Sequence, residues 1–85
     1  MKTKVALITG STRGIGFDIG EKLEKNGFNV IFNGKSQIKK KKNYFVKGDI
    51  SKQKTLDKID NLIKKNFSKL DLLINNVGFT KSVFI

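Results

Sequence analysis

The sequence predicts an α/β fold: a parallel sheet of about four strands, in the order 3-2-1-4, with helices on its faces. Three observations carry that reading. Apolar, β-branched runs alternate with stretches of helical spacing along the whole chain. The first run ends against a cluster of glycines, Gly10, Gly14 and Gly16, at the point where a helical pattern begins. The last run, "LDLLIN" at 70–75, is nearly continuous in apolar residues, as strands covered on both faces are. Right-handed crossovers then allow that order, with the first and fourth strands side by side.

Each element follows from its own residues. Val5 to Thr9 is a short apolar strand that stops where the glycines start. From Ile15 the spacing Ile15, Ile19, Leu23 puts one apolar face on a helix, and Gly27 in "KNG" suits its left-handed C-terminal cap. "FNVIF" at 28–32 reads as the second strand, with Asn33-Gly34 as its exit turn. "QIKKKKN" reads as a solvated connection, one helical turn at most. "YFVKGDI" at 44–50 is the third strand. Ser51 is a plausible N-cap for a helix carrying Leu56, Ile59, Leu62, Ile63 and Phe67 at helical spacing. Residues 70–75 form the fourth strand. There is no internal repeat and no domain boundary, so residues 1–85 read as a single unit.

Composition bounds the function classes. A chain of 85 residues makes one small domain that buries roughly 60–65% of its extended surface, so its core is thin. No apolar run approaches the roughly 18–20 residues of a membrane span. Lys2 and Lys4 precede only the short run Val5 to Ile8, which is no secretory signal, and the cytoplasm is the expected location. With no cysteine and no histidine, disulfides and thiolate or imidazole metal sites are excluded. The formal charge is +11, and all 18 basic residues except Arg13 are Lys. Lys, Asn, Ile and Phe have A/T-rich codons, so base composition explains much of that charge without a nucleic-acid partner. A cationic surface still attracts polyanions weakly and in a salt-dependent way.

The glycines point to a ligand. A glycine turn between strand and helix lets backbone N–H groups approach a phosphate with no Cβ in the way, and the helix N-terminus adds partial positive charge. Gly10 would make the turn, Gly14 allow the close approach, and Gly16 let the helix pack on the strand. Three such glycines also fit a tight turn with no ligand. The crevice at the switch point, between the carboxyl ends of strands one and four, receives both "TGSTRGIG" and "NNVG".

Those residues carry a family resemblance. Thr9-Gly10-Ser11-Thr12-Arg13-Gly14-Ile15-Gly16 resembles the TGxxxGxG motif of the short-chain dehydrogenase/reductase family. Asp49-Ile50 resembles that family's acidic-aliphatic pair after the third strand, and Asn75-Asn76-Val77-Gly78 its NNAG motif after the fourth. The closest flavour is the 3-oxoacyl-(acyl-carrier-protein) reductase type, from "TGSTRGIG" and "NNVGFTK". The resemblance implies the N-terminal half of a Rossmann fold and a nicotinamide dinucleotide as cofactor.

Residue by residue, it implies that Gly10, Ser11, Thr12, Arg13, Gly14, Ile15 and Gly16 hold the pyrophosphate and the adenosine side, Ile15 offering a backbone N–H. The Asp49 carboxylate would accept from the adenine amino group, with Ile50 against the ring. Asn76, Val77 and Gly78 would line the ribose nearest the nicotinamide, and Asn75 with Asn76 would tie strand four to its neighbours. Asp49 beside Ser51 equally fits a cap on the following helix. Val77 stands where the family has a small alanine, which crowds the cofactor or merely repacks.

Cofactor choice follows from charge. An NAD site usually places Asp or Glu at the end of strand two, for the ribose 2′-OH. This chain has Asn33-Gly34-Lys35-Ser36 there, so no carboxylate repels a 2′-phosphate. Lys35 and Arg13 could approach that phosphate and Ser36 could donate to it. NADP(H) is expected over NAD(H), although Lys35 is also one more lysine in a lysine-rich chain.

The family's chemistry resembles hydride transfer to a carbonyl, with a Tyr as acid, a Lys four residues later and a Ser orienting the substrate. These follow the NNAG strand, and this sequence runs seven residues past Gly78. Tyr44 and Lys47 are three apart, precede strand four, and on a strand point to opposite faces, so they are a decoy. No catalytic residue is assigned in this chain, and it is expected to be truncated before them. Three readings stay open. They are the NADP(H)-binding portion of a carbonyl reductase, a non-catalytic NADP(H)-binding module or subunit, and a lysine-rich polyanion binder. The last lacks the stacked aromatics a single-strand binder uses. The edge beside Leu72, Leu73 and Ile74 invites self-association or a second chain. The segment between strands two and three is too short for the family's usual helix, which predicts a poorly covered sheet face.

Overall fold

The computed structural model describes residues 3–76. In chain order these form β1 (Val5–Thr9), α1 (Gly14–Lys25), β2 (Asn29–Gly34), β3 (Phe45–Lys47), α2 (Gln53–Asn66) and β4 (Leu72–Asn75). The sheet runs β3-β2-β1-β4 and every pairing is parallel. β1 is central, with Leu7 opposite Ile31 on one side and Leu73 on the other.

Alternation along the strands sorts the core into two layers. Ala6, Ile8, Val30 and Phe32 face α1, whose Phe17 packs among them. Val5, Leu7, Ile31 and Val46 face the opposite way, towards Ile59 of α2. All five residues of β1 are buried, because helices or loops cover both faces. The aromatic rings of Phe17 and Phe32 lie 5.7 Å apart in a tilted arrangement.

The face that α1 buries is centred on glycine. Gly16, Phe17 and Gly20 are its buried residues, whereas Ile15 is 72% exposed. This corrects the Ile15, Ile19, Leu23 stripe: Ile19 and Leu23 pack at the margin of the core and Ile15 stands outside it. A Cβ on Gly20 would fall 2.3 Å from the Phe32 ring, so the helix can lie over that ring only without one. At its far end, Gly27 N–H donates to the Glu24 carbonyl and Phe28 N–H to the Leu23 carbonyl, the paired bonds of a Schellman cap. Lys22 and Lys25 sit in the last turn, where the helix dipole favours cations.

Element ends differ from the pattern in instructive ways. β2 runs 29–34 rather than 28–32, because Asn33 and Gly34 pair with Val46 and Lys47. β3 keeps only Phe45–Lys47 of 44–50, and β4 only Leu72–Asn75 of 70–75. α2 starts at Gln53, with Lys52 rather than Ser51 at the N-cap position and no side-chain cap. Ser51 instead bonds Asp49. Leu56, read as core, is 42% exposed, and its neighbour Thr55 is buried in its place.

The connection 35–44 is not simply solvated. Ile38 is buried and joins the α1-side core, so the lysine-rich chain covers the sheet face where a helix is missing. On the other side, the Tyr44 ring meets Phe67 edge-on at 4.9 Å while Lys47 is exposed. Tyr44 is thus a core side chain. β4 is the outer strand among the described residues, with Leu73 58% exposed. No described helix is long and apolar enough to cross a membrane.

Gly20→Ala should destabilise the chain. Alanine gains about 1 kcal/mol in helix propensity, against about 3 kcal/mol for overpacking a ring that has no room to move. Chemical denaturation should therefore show a net loss of about 2 kcal/mol.

Candidate functional site

The carboxyl ends of the strands are joined by side chains into one polar belt. The Thr9 hydroxyl donates to Asn75 Oδ1 at 2.8 Å and accepts from the Asn76 backbone N–H at 3.0 Å, linking β1 to β4. Asn76 Nδ2 donates to the Gly10 carbonyl at 3.1 Å. On the other side of β1, the Ser11 N–H donates to the Asn33 carbonyl at 2.7 Å, and the Asn33 N–H returns a bond of 2.9 Å to Ser11 Oγ. Ser11 Oγ also donates to the Ile8 carbonyl at 2.6 Å. Asn33 Nδ2 then reaches the carbonyls of Val46 and Gly48 at 2.9 and 3.2 Å, extending the belt to β3. Among the described residues, no buried side-chain nitrogen or oxygen lacks a partner.

The belt shapes the glycine turn. Gly10 and Gly14 lie in the left-handed region, at φ 62° and 67°, which an L side chain adopts only at a cost. Gly14 and Gly16 differ in surroundings. A Cβ on Gly14 would meet nothing within 4 Å, whereas one on Gly16 would fall 2.5 Å from both the Gly10 carbonyl and Asn76 Nδ2. Gly16 therefore lets α1 close onto the belt, and Gly14 presents bare backbone to solvent. Arg13 occupies the N-cap position in extended conformation without a side-chain cap, and the first turn carries no acid. The first N–H groups of a helix have no intrahelical acceptor. Here they keep their partial positive charge uncancelled by a neighbouring carboxylate.

The remaining candidate residues fall around this turn. Thr12 is buried, its hydroxyl 3.2 Å from that of Ser36, and its carbonyl accepts from Lys39 N–H at 2.7 Å. Arg13, Lys35 and Ser36 are exposed. Asp49 is engaged locally: the Ser51 N–H at 2.9 Å and hydroxyl at 2.8 Å both bond its Oδ1. Those two bonds, the backbone one first, hold its carboxyl below the usual range, and the charges of Lys35 and Lys52 add to them. Ile50 is half-buried against the α2-side core. Asn76 reaches across to Gly10, while Val77 and Gly78 lie outside the described residues.

Ser11, grouped with the cofactor residues, is fully buried and has both its N–H and its hydroxyl engaged by β1 and β2. Asn33 was legible only as a turn residue, since a polar side chain at a strand end gives no sign that it bonds two carbonyls of the next strand. No described residues group as a metal site.

A parallel sheet in the order 3-2-1-4, with a glycine turn opening at the β1/β4 junction, defines a dinucleotide-fold protein. The profile of the short chain dehydrogenase family matches residues 4–85, and the chain belongs to that family of oxidoreductases. It is 34% identical over 89 residues to the 3-oxoacyl-(acyl-carrier-protein) reductase of Haemophilus influenzae, covering 95% of this chain and 37% of that protein. The 2-keto-3-deoxy-D-gluconate dehydrogenase of Streptococcus agalactiae superposes with a TM-score of 0.73 at 28% identity, over 92% of this chain and 34% of that one. The L-sorbose reductase of Gluconobacter frateurii, solved with NADPH and L-sorbose, superposes with a TM-score of 0.78 over 100% of this chain and 37% of that one. At 24% identity, that likeness is one of fold. The chain spans about a third of the length of the curated relatives it matches.

Thr9→Val should cost about 1 kcal/mol, because it removes the hydroxyl shared by Asn75 Oδ1 and the Asn76 N–H. Urea denaturation measures it. A second expectation concerns acid. Lys69, then the Val5 N–H, hold the Asp71 carboxyl below its ordinary value. The stability this contributes is complete above the unfolded value of about 3.9 and is lost as pH falls through the lower folded one. Asp71→Asn should therefore flatten the acid limb of a stability-versus-pH curve below about pH 4.

Proposed function

We propose that this chain is the NADP(H)-binding portion of a short-chain dehydrogenase that reduces a carbonyl, of the 3-oxoacyl reductase kind. The observation that carries the proposal is the open side of the glycine turn. Left-handed Gly14, with nothing within 4 Å of a Cβ position, adjoins an uncapped helical turn that bears no acid. Pyrophosphate oxygens suit that arrangement, as acceptors for backbone N–H groups at a positive helix end. Gly10 and Gly16 shape the cradle, Thr12, Arg13 and Ile15 border it, and Ser11 holds it from beneath.

The end of β2 supports NADP(H) over NAD(H). Its Asn33 is turned inward onto β3, and the residues that follow it, Gly34, Lys35 and Ser36, include no acid. Lys35 and Ser36 are exposed there and Ser36 touches Thr12 of the turn, so a 2′-phosphate would meet a cation and hydroxyls. Asp49 and Ile50 are assigned to the adenine, and Asn76, Val77 and Gly78 to the second ribose. When bound, the dinucleotide supplies or accepts the hydride. This chain's residues bind it, orient it and fix the β1/β4 crevice through Thr9 and Asn76. The carbonyl substrate class rests on the Haemophilus relative's name and on family chemistry, and the cytoplasm on the absence of cysteine. The exposed Leu73 edge is where a further strand, from a second copy or another chain, would add.

A second reading is nucleotide binding without turnover, in which the crevice holds a dinucleotide while Tyr44 stays packed on Phe67. Turnover by any form of the protein with a carbonyl substrate would remove this second reading.

Calorimetric titration of the chain with NADP⁺ and NAD⁺ tests the first. NADP⁺ should bind about tenfold tighter, and Lys35→Glu should erase that preference. Equal affinity for the two would remove the NADP(H) assignment, and no binding of either would remove the dinucleotide site.

A further inference from the structure

The connection 35–44 contains no helix or strand until Phe45, yet it carries Lys35 and Ser36 at the mouth of the proposed cofactor site. Something other than secondary structure must hold it. Two attachments lie near the glycine turn: Lys39 N–H to the Thr12 carbonyl at 2.7 Å, and the Thr12–Ser36 hydroxyl pair at 3.2 Å. Ile38 plugs the core between them. The last attachment is Lys42, and it is unlike the other lysines of this strongly basic chain.

Lys42 Nζ lies 2.7 Å from Glu24 Oε1 and 3.0 Å from Glu21 Oε2, and its side chain is only 11% exposed. The same ammonium sits 5.3 Å from the ring centres of both Phe17 and Phe32, the two aromatics at the heart of the α1-side core. Lys40 adds a looser contact to Glu21 at 3.3 Å from an exposed position. Burial opposes the charge on Lys42, but the hydrogen bonds to Glu24 and Glu21 outweigh it and hold the ammonium above the ordinary lysine value. Glu21 is correspondingly held below the usual carboxylate range, first by Lys42, against the effect of burial. Both shifts favour the charged forms of Lys42 and Glu21. This clamp fastens one end of the connection to the second and third turns of α1, whose first turn borders the proposed phosphate site.

We infer that Lys42 is a positioning residue for cofactor selection: clamped by Glu21 and Glu24, it fixes the 35–42 segment so that Lys35 and Ser36 stand beside Thr12 and Arg13. This rests on the proposed NADP(H) site. Lys42 itself touches no part of that site. It acts through the segment, by removing the freedom that Lys35 and Ser36 would otherwise lose on binding, and so favours the nucleotide that uses them. A dinucleotide without the 2′-phosphate gains little from this ordering.

The test compares the full chain with Lys42→Met, which keeps an apolar stem against Phe17 and Phe32 and deletes the charge, and with Lys42→Arg, which can still bridge two carboxylates. Affinities for NADP⁺ and NAD⁺ are measured by calorimetry, and exchange of the Lys39 amide is followed by NMR without nucleotide. The expected result for Lys42→Met is faster Lys39 exchange and a ratio of NADP⁺ to NAD⁺ affinity reduced about fivefold. Lys42→Arg should restore both. Glu24→Gln, which weakens the clamp from the other side and leaves Lys42 in place, should lower the ratio in the same direction.

An unchanged ratio in a Lys42→Met chain that remains folded would overturn the inference while leaving the NADP(H) reading intact. So would an equal loss of both affinities, since that is the mark of a purely structural role. If Lys42→Met does not fold, Glu24→Gln and Lys42→Arg decide the matter by the same ratio. Failure of the unaltered chain to bind NADP⁺ would instead remove the proposed site, and this inference with it.

Discussion

The hydrogen-bonded belt across the carboxyl ends of the strands is what the rest of the site depends on. Parallel strands end at different heights and leave polar backbone at their tips, where each buried unpaired group would cost about 1–3 kcal/mol. Thr9, Ser11, Asn33, Asn75 and Asn76 satisfy those groups and at the same time bind β3, β2, β1 and β4 to one another. The glycine turn inherits its shape from this arrangement. Its first residue gives a carbonyl to Asn76, and the next residue is locked to β2 through one backbone–backbone and one backbone–hydroxyl bond. Small residues at Gly16 and Gly20 then let α1 descend onto the belt at one end and onto Phe32 further along.

A thin sheet accounts for the unusual cover on the α1 side. Between β2 and β3 there is room only for an irregular connection, and burial there comes from one plug, Ile38, and from the aliphatic stem of Lys42. An ammonium placed near two aromatic rings and between two carboxylates is stabilised by both, which offsets its loss of water. The same segment borders the glycine turn through Lys39 and Ser36. Cover of the core and geometry of the site are therefore parts of one structure, and a change in the lysine-rich stretch acts on both.

Legibility in the sequence tracked the range of the interactions. The position of the turn was readable because strand, glycines and helix are contiguous. The extent of β2 was not, because Asn33 and Gly34 have the composition of a turn and join the ladder only when β3 lies alongside. Ile15 reads as a helix-face residue by spacing. Its exposure follows from the close contact of Gly16 and Gly20, which sets the rotation of α1 on the sheet. Ser51 has the chemistry of a cap, but Asp49 two residues earlier takes both its N–H and its hydroxyl.

The sequence by itself determined the order of the elements, the parallel sheet and the glycine turn where the backbone is left bare, and right-handed crossovers allowed the observed strand order. The first three follow from periodicity, from chain length between elements, and from where glycine removes a side chain. Only the tertiary structure decided which polar residues serve the protein and which face outward. Ser11 and Asn33 turned inward, Lys35 and Ser36 remained at the surface, and one lysine of a run of four was drawn between two glutamates. The physical reason is that hydrogen bonds and ion pairs are settled by partners 13–67 residues away, on elements that meet only after the sheet has formed.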